Sequence, residues 1–374
     1  MKKIGFIFIL AIGCIDPYEP PRINQGNAIL VVDGFINTNG KSYISLTQSQ
    51  NLLDTEEVQS ESGALISIED ENGSTYFLTE EQPGEYSLAQ QPFSDLKYRL
   101  NIRTLDSKEY ASDFITLKNS PEIDSISWDI NQDQGVQIYV NTHDAENKTQ
   151  YYRWTFEETW KYTSAFFSSY IFENNAPVPR KDNIFTCWNT HGSDKILVGS
   201  STKLQQDIIS GFPLTFLEQK AEKTRYKYSI LVKQYALSSE AFEYWQQLKK
   251  TTEDLGTIFG PLPSQVTGNM RCLTNPNQPV LGFISGGAVT EKRTFISSID
   301  LPRPSQYITS YNDCEEYFIE TAQVSTIDGG SLLLINSVPD PKFPIATIGY
   351  SYSSYRCVDC RLGGGTTTKP DFWP

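Results

Sequence analysis

The sequence predicts a mainly β protein, with an N-terminal immunoglobulin-like or transthyretin-like β-sandwich followed by a larger β-rich domain. The first observation is composition: of 374 residues 13% are aromatic, and the chain holds 24 Gly and 20 Pro. The second is patterning, because short apolar or alternating runs recur between turn residues. The third is that one segment alone has clear helical spacing. Aromatic side chains favour strands, and Gly and Pro favour turns.

The charge balance excludes one class of partner. The chain has 45 Asp and Glu against 31 Lys and Arg, which gives a formal net charge of -14 at pH 7. Nucleic-acid binding depends on basic surfaces that neutralise phosphates. We therefore expect no nucleic-acid partner.

Residues 1–13 have the features of a signal peptide. Lys2 and Lys3 precede a short apolar run over residues 4–12, which is too short to span a bilayer as a helix. The run ends in AIGC, and small residues before Cys14 resemble a bacterial lipobox. We expect cleavage before Cys14 and acylation of its thiol and new amine, with no other cofactor. The alternative is an ordinary secretory signal followed by a chance cysteine.

Residues 14–27 are predicted to form a tether behind the lipid. Three prolines in IDPYEPPRINQ disfavour a helix and favour an extended chain. At about 3.1 Å per residue, this segment reaches roughly 35 Å. Asp16 and Glu19 follow the lipid site closely. Acids at this place resemble the surface-export signal of Bacteroidota lipoproteins, although a soluble charged linker has the same composition.

The first predicted domain covers residues 28–118. It contains about seven short strands, bounded by turn signals such as the DENG sequence after residue 69. The predicted strands are residues 28–33, 43–47, 64–68, 75–78, 84–88, 98–102 and 109–117. A boundary is expected at residues 118–121.

The second predicted domain covers residues 119–374, with strands at 123–128, 135–140, 151–160, 225–233, 278–285 and 294–299. In YYRWTFEETW, Trp154 and Phe156 alternate with Arg153 and Thr155, which indicates a strand with one apolar face. We expect that face to be core. An aromatic row also suits sugar stacking, so Trp154 and Trp160 are candidate ligand-binding residues.

A helix is predicted near residues 239–255. Ser238 and Ser239 are N-cap candidates, and Gly256 is a natural stop. Apolar residues recur at helical spacing from Ala241 to Leu255.

Five cysteines remain besides Cys14, namely Cys187, Cys272, Cys314, Cys357 and Cys360. An extracytoplasmic location favours disulfides, and an odd number leaves at least one thiol unpaired. We expect Cys187 with Cys272, and Cys314 with Cys357 or Cys360. Cys357 and Cys360 also form a C-x-x-C, for which a zinc site with Cys314 and Cys272, or redox chemistry, are alternatives to disulfides. We assign no metal.

The C-terminal tail ends in two aromatic residues, Phe372 and Trp373. These side chains are predicted to plug a groove, either on this molecule or on a partner. No catalytic motif is present: the sequence has no G-x-S-x-G, and His143 and His191 are too far apart for H-E-x-x-H. We therefore expect no enzymatic activity.

The chain resembles a Bacteroidota outer-membrane lipoprotein family catalogued as domain of unknown function 4249. The resemblance lies in CIDPYEP, YYRWTFEETW, SILVKQYALSSEAFEYWQQLKK, GNMRCLTNPNQPVLGFIS and CVDCRLGGGTTTKPDFW. It extends over essentially the whole chain, and the last of these sequences is the most specific.

The resemblance implies a location and a partner. Family members are typically outer-membrane lipoproteins encoded beside TonB-dependent barrels of the starch-utilisation type. The expected protein is lipid-anchored at the cell surface and serves such a barrel as an accessory or lid in substrate capture. Alternatives are an accessory subunit of an outer-membrane assembly or export machine, and a stand-alone glycan- or peptide-binding module.

Overall fold

A computed structural model describes residues 28–50, 57–91, 93–252, 268–327 and 331–374. The predicted signal peptide at 1–13 and the tether at 14–27 lie outside these ranges, as do Cys14, Asp16 and Glu19. No helix in the described ranges is long and apolar enough to cross a membrane.

The chain is mainly β, as predicted. Its first nine strands are β1 Leu30–Asn37, β2 Ser42–Gln48, β3 Leu65–Asp70, β4 Thr75–Phe77, β5 Thr79–Gln82, β6 Glu85–Leu88, β7 Lys97–Arg103, β8 Glu109–Ser112 and β9 Ile115–Thr116. The next nine are β10 Ile123–Ile130, β11 Val136–His143, β12 Tyr151–Thr163, β13 Tyr170–Glu173, β14 Ala176–Pro179, β15 Thr186–Gly192, β16 Leu197–Ser200, β17 Ile208–Leu217 and β18 Lys227–Ala236.

The remaining elements begin with the main helix, α1 Ser239–Thr252. They continue with β19 Met270–Cys272, β20 Val280–Leu281, β21 Ser285–Gly287, β22 Thr290–Ser297, β23 Tyr317–Glu320, β24 Leu332–Pro339, β25 Thr347–Ser354 and the short helix α2 Tyr355–Val358. Short 3₁₀ segments lie at Glu222–Thr224, Ser298–Asp300, Thr321–Thr326 and Cys360–Gly363.

The first sandwich packs two sheets face to face. One sheet has the order β20-β1-β2-β6-β5 with β21 also on β1, and the other has β19-β8-β7-β3-β4 with β9 on β7. Their inward residues alternate along each strand, so Val32 and Ile44 of one sheet share a buried core with Ile66 and Leu100 of the other.

Strands from late in the chain complete this first sandwich. β20 and β21 pair with β1 in parallel, and β19 pairs with β8. The backbones approach closely there: Gly282 has φ +143°, and a Cβ on it would lie 2.1 Å from the carbonyl oxygen of Val32. The predicted division into residues 28–118 and 119–374 is therefore incomplete, because residues 270–287 return to cover the edges of β1 and β8.

The second sandwich packs the sheet β10-β11-β17 against β15-β12-β18-β22, with β16 also on β12. A large core lies between them, with Ile138 and Val140 on one side and Trp154, Phe156 and Ile230 on the other. A third, smaller β unit contains the hairpin β13-β14 and the sheet β23-β25-β24 around Ile327 and Leu334.

Helix α1 lies where the two sandwiches meet. The hydroxyl of Ser238 accepts a hydrogen bond from the backbone N–H of Ala241 at 3.2 Å, so the predicted N-cap at Ser238 is correct. Tyr244 and Trp245 are buried and pack against Phe283 of the first sandwich and Tyr235 of the second. The described part of the helix reaches Thr252, and the predicted continuation to residue 255 and stop at Gly256 lie outside the described residues.

Two disulfides hold the C-terminal segment. Cys187 is bonded to Cys360 across 173 residues, and Cys314 to Cys357 across 43 residues. The predicted pair Cys187–Cys272 is therefore wrong, whereas Cys314–Cys357, one of the two pairings considered, is confirmed.

Cys272 is a buried free thiol on β19. It belongs to the first sandwich, whereas Cys187 lies in the second, so the pairing predicted from order along the chain fails in three dimensions. The two cysteines of the C-x-x-C are each bonded to a distant partner, which contradicts the zinc and redox alternatives for this motif.

Candidate functional site

The aromatic residues proposed for ligand stacking lie inside the second sandwich. Trp154 is completely buried, stacks on Tyr152 at a centroid distance of 5.6 Å and contacts Phe212 at 4.4 Å. Trp160 is also buried, on the same inward face of β12. The core interpretation is confirmed, and neither indole is available to stack on a sugar from solvent.

The C-terminal tail folds back on its own chain. The ring of Trp373 is buried against Phe295 at 5.7 Å and Trp188 at 6.4 Å, both centroid distances. The ring of Phe372 lies 3.5 Å from the guanidinium carbon of Arg293 and is partly exposed. Of the two predicted roles, self-packing holds for Trp373.

The outer face of the β12-β18-β22 sheet carries rows of side chains. Arg153 pairs across the strands with Tyr235, and Thr155 pairs with Lys233, which pairs with Glu291. The next rows reach Arg293 and Phe295, which the C-terminal tail covers. The Arg153 end of this face is turned instead toward the first sandwich.

A cleft of about 710 Å³ lies between this end of the sheet and strands β1 and β2. Its walls include Asp33, Phe35 and Tyr43 from the first sandwich, and Arg153, Lys233 and Tyr235 from the second. The ring of Phe35 meets that of Tyr235 edge to face at 4.9 Å. The volume is in the range of small-molecule sites. We call this space the Arg153 cleft.

Arg153 is the distinctive group in the cleft. Its guanidinium carbon lies 3.7 Å from the ring centroid of Trp245 and 5.7 Å from that of Tyr235, so aromatic rings hold the cation. Within the described ranges, the guanidinium N–H groups of Arg153 donate to no protein acceptor and form no ion pair, although the residue is only partly exposed. Burial lowers the pKa of Arg153, and the nearby Asp33 carboxylate opposes this shift.

The other cations of the cleft are already paired. Lys233 Nζ lies 3.5 Å from Glu291 Oε1, and Lys41 forms an ion pair with Glu81. The N–H fork of a guanidinium matches the oxygens of a carboxylate or phosphate and forms charge-assisted hydrogen bonds with them. The cleft is therefore suited to a ligand that carries a negative group.

The sequence predicts the strand face on which Arg153 lies but not the cleft that this face lines. The alternation in β12 predicted Arg153 and Thr155 opposite Trp154, which is what the strand shows. The other wall comes from β1, more than a hundred residues earlier, and the stacking ring comes from α1. No local pattern signals that these segments meet.

A second cavity, of about 560 Å³, lies beside α1 and includes Lys118, Glu240, Asn269 and Ser285 in its walls. The buried amide of Asn269 is satisfied by the backbone of Ile284, donating at 2.9 Å and accepting at 2.8 Å. The buried hydroxyl of Ser285 has no partner in the described structure. Among the described residues that line this cavity, none is a cation stacked on aromatic rings as Arg153 is.

An exposed apolar turn joins β24 to β25. Phe343 is 69% exposed and Ile345 is fully exposed, in a turn closed by backbone hydrogen bonds from Asp340 N to Ala346 O and from Ala346 N to Phe343 O, both 2.8 Å. We call Phe343 and Ile345 the apolar tip. Exposed apolar side chains that lie close together are one mark of an interaction surface.

Within the described ranges, no group of three or more His, Cys, Asp or Glu side chains is placed to hold a metal ion.

The sequence profile of a family described as a domain of unknown function, DUF4249, matches residues 15–293. The chain belongs to the DUF4249 family. The region matched to DUF4249 includes the strands that form the Arg153 cleft and helix α1. It ends at Arg293, so CVDCRLGGGTTTKPDFW, which we expected to be the most specific sequence, lies outside it.

Among solved structures, this DUF4249 member is similar to a two-domain fibronectin type-III segment of chicken tenascin. The two are 9% identical over 56% of this chain and 93% of that one, with a TM-score of 0.17. The observed strand pairings, rather than this likeness, define the sandwiches. No curated protein matches the chain.

Proposed function

We propose that this protein is a non-enzymatic, lipid-anchored subunit at the bacterial cell surface that captures a small ligand for a TonB-dependent outer-membrane barrel. The observation that carries the capture role is the Arg153 cleft, with a stacked guanidinium that has no acceptor among the described residues. A site that binds without transforming its ligand needs such a recognition group and no nucleophile or base.

The N-terminal sequence supports the anchored location. Lys2 and Lys3, the apolar run and Cys14 form the pattern of a lipoprotein signal peptide, and the acids Asp16 and Glu19 follow it. Acyl chains on Cys14 would hold the protein at the membrane, and the proline-rich tether would give it a reach of roughly 35 Å. A tethered protein meets a neighbouring barrel at a high effective concentration.

The apolar tip supports contact with a protein partner. Phe343 and Ile345 project from an ordered turn and are not needed for the packing of this chain. Exposed aromatic and aliphatic residues of this kind commonly anchor protein interfaces. We assign the barrel contact to this surface.

A second candidate is an accessory role in an outer-membrane assembly or export machine, which has the same anchor. The apolar tip suits either partner, but a ligand cleft favours the capture role.

Co-purification from gently solubilised envelope tests the proposal. The full chain, tagged after the exposed Pro374, should recover one TonB-dependent barrel at near-equal stoichiometry. The double variant Phe343→Ser/Ile345→Ser should recover less barrel with unchanged protein stability, since exposed residues contribute about 0.5 kcal/mol or less. Phe77→Ser, which removes an exposed aromatic of the first sandwich that lies outside the cleft, is the matched control.

Two results would contradict the proposal. Recovery of several assembly or export components would favour the second candidate. Recovery of this protein alone, with normal nutrient uptake in a deletion strain, would favour a stand-alone binding module.

A further inference from the structure

We propose that the Arg153 cleft binds small organic molecules through a carboxylate group, which Arg153 pairs with. This inference names the ligand class and rests on the capture role proposed above. Nothing in the family description assigns such a site.

The geometry of Arg153 favours a carboxylate. Trp245 lies 3.7 Å from the guanidinium carbon and covers one side of the group. The guanidinium N–H groups of Arg153 have no protein acceptor in the described ranges. A planar guanidinium presents parallel N–H donors that match the two oxygens of a carboxylate, so the pair forms two charge-assisted hydrogen bonds.

Asp33 sets the charge of the site. Its carboxylate acts on Arg153 through space, but the two groups form no ion pair within 4.0 Å. Because Lys233 and Lys41 are paired elsewhere, Asp33 is the group that offsets the Arg153 charge. A ligand carboxylate must enter against the repulsion of Asp33, so removing this charge should tighten binding.

The walls favour an organic ligand over an inorganic anion. Phe35 and Tyr235 form an aromatic pair beside Arg153, and the half-exposed ring of Tyr43 also lines the cleft. Sulfate would gain the charge interaction but no contact with these rings. An aromatic carboxylate gains both, and a volume of about 710 Å³ leaves room for ligands larger than a single ring.

Benzoate is the probe that tests this inference, with neutral benzamide as its matched analogue. Titration calorimetry on the full chain in detergent should detect benzoate and show benzamide binding at least about 10-fold more weakly, which corresponds to the loss of one charge-assisted pair. Sulfate should compete only at much higher concentration than benzoate.

Four variants locate the site. Arg153→Gln should lower benzoate affinity by about 10-fold or more, and Arg153→Lys should recover only part of it because an ammonium lacks the planar fork. Asp33→Asn should raise the affinity several-fold. Lys148→Gln removes an exposed charge outside the cleft, paired with Glu146, and should leave the affinity unchanged. Thermal unfolding of each variant shows that the fold is retained.

The inference is overturned if benzoate does not bind, if benzamide or sulfate binds as tightly, or if Arg153→Gln binds benzoate like the wild type. These failures are distinguishable from failure of the proposed function. Loss of barrel co-purification would reject the import partnership while leaving the calorimetric result intact, and the absence of benzoate binding would reject the ligand class while leaving the partnership intact.

Discussion

Among single residues, Gln234 is a polar side chain that links several parts of the second sandwich. It is fully buried and accepts from Trp154 Nε1 at 2.9 Å. Its own amide nitrogen donates to the Pro121 carbonyl at 2.8 Å and to the Thr142 hydroxyl at 3.1 Å. One side chain therefore links both sheets to the segment that leaves the first sandwich, and it satisfies the buried indole of Trp154.

Gln234→Ala should destabilise the protein by about 2–4 kcal/mol, because it leaves buried polar groups unpaired and opens a cavity. Denaturant unfolding measures this loss. Gln246→Ala, on the exposed side of α1, is the control and should change stability by about 0.5 kcal/mol or less. Equal effects of the two substitutions would contradict the assignment.

The buried carboxyl of Glu222 should make the stability of the fold depend on pH. Burial raises the pKa of this carboxyl, against the attraction of Arg225. An acid whose pKa is higher in the folded state than in the unfolded state disfavours folding when ionised, and this penalty is relieved as pH falls through the folded pKa.

Glu222→Gln should therefore raise the thermal midpoint at about pH 7 and have a smaller effect at about pH 4, where the wild-type carboxyl is protonated. Thermal unfolding at both pH values tests this, with Glu218→Gln, an exposed neighbour, as the control for loss of one charge. An equal effect of Glu222→Gln at both pH values would be inconsistent with the raised pKa.

At the scale of elements, the C-terminal segment from α2 onward is fixed at both ends. Its first turns carry Cys357 and Cys360, bonded to two different parts of the chain. Between them, the buried Asp359 accepts from the backbone N–H of Arg361 at 2.9 Å. The last residues then cover the outer face of the sheet through Trp373. The disulfides thus place the tail on this molecule.

The double variant Cys187→Ala/Cys360→Ala should lose about 2–4 kcal/mol of stability, because the closed loop is long. It should also expose Trp373, which tryptophan fluorescence reports. Cys272→Ala, which keeps both disulfides, should leave that fluorescence unchanged.

Thiol labelling checks the pairing itself. In unreduced, denatured protein whose Cys14 thiol carries the lipid, one thiol should be labelled, and peptide mapping should place it at Cys272. A label on Cys187 or Cys360 would contradict the pairing.

At the scale of the whole molecule, the two sandwiches depend on each other. The chain leaves the first sandwich after β9, builds most of the second, and returns through β19, β20 and β21 before adding β22. Helix α1 and the Arg153 cleft lie where the two sandwiches meet. A ligand in this cleft would contact both sandwiches, so binding and their relative position are linked.

A fragment of residues 28–118 should fail to fold stably, because the edges of β1 and β8 lose their partners and leave apolar surface uncovered. Circular dichroism and size-exclusion chromatography test this. The same fragment joined to residues 268–287 by a flexible linker should recover a cooperative unfolding transition. A stable 28–118 fragment would show that the late strands are dispensable.

Features that depend on neighbouring residues could be predicted from the sequence. Alternation in β12 identified its buried face, and Ser238 marked the start of α1, because both follow local backbone geometry. Long-range packing, in contrast, brings Cys187 to Cys360, returns β19 to β21 to the first sandwich, and places Arg153 near Asp33. Periodicity shows which face of a strand is apolar and will be buried. Which segment packs against that face depends on the fold of the whole chain.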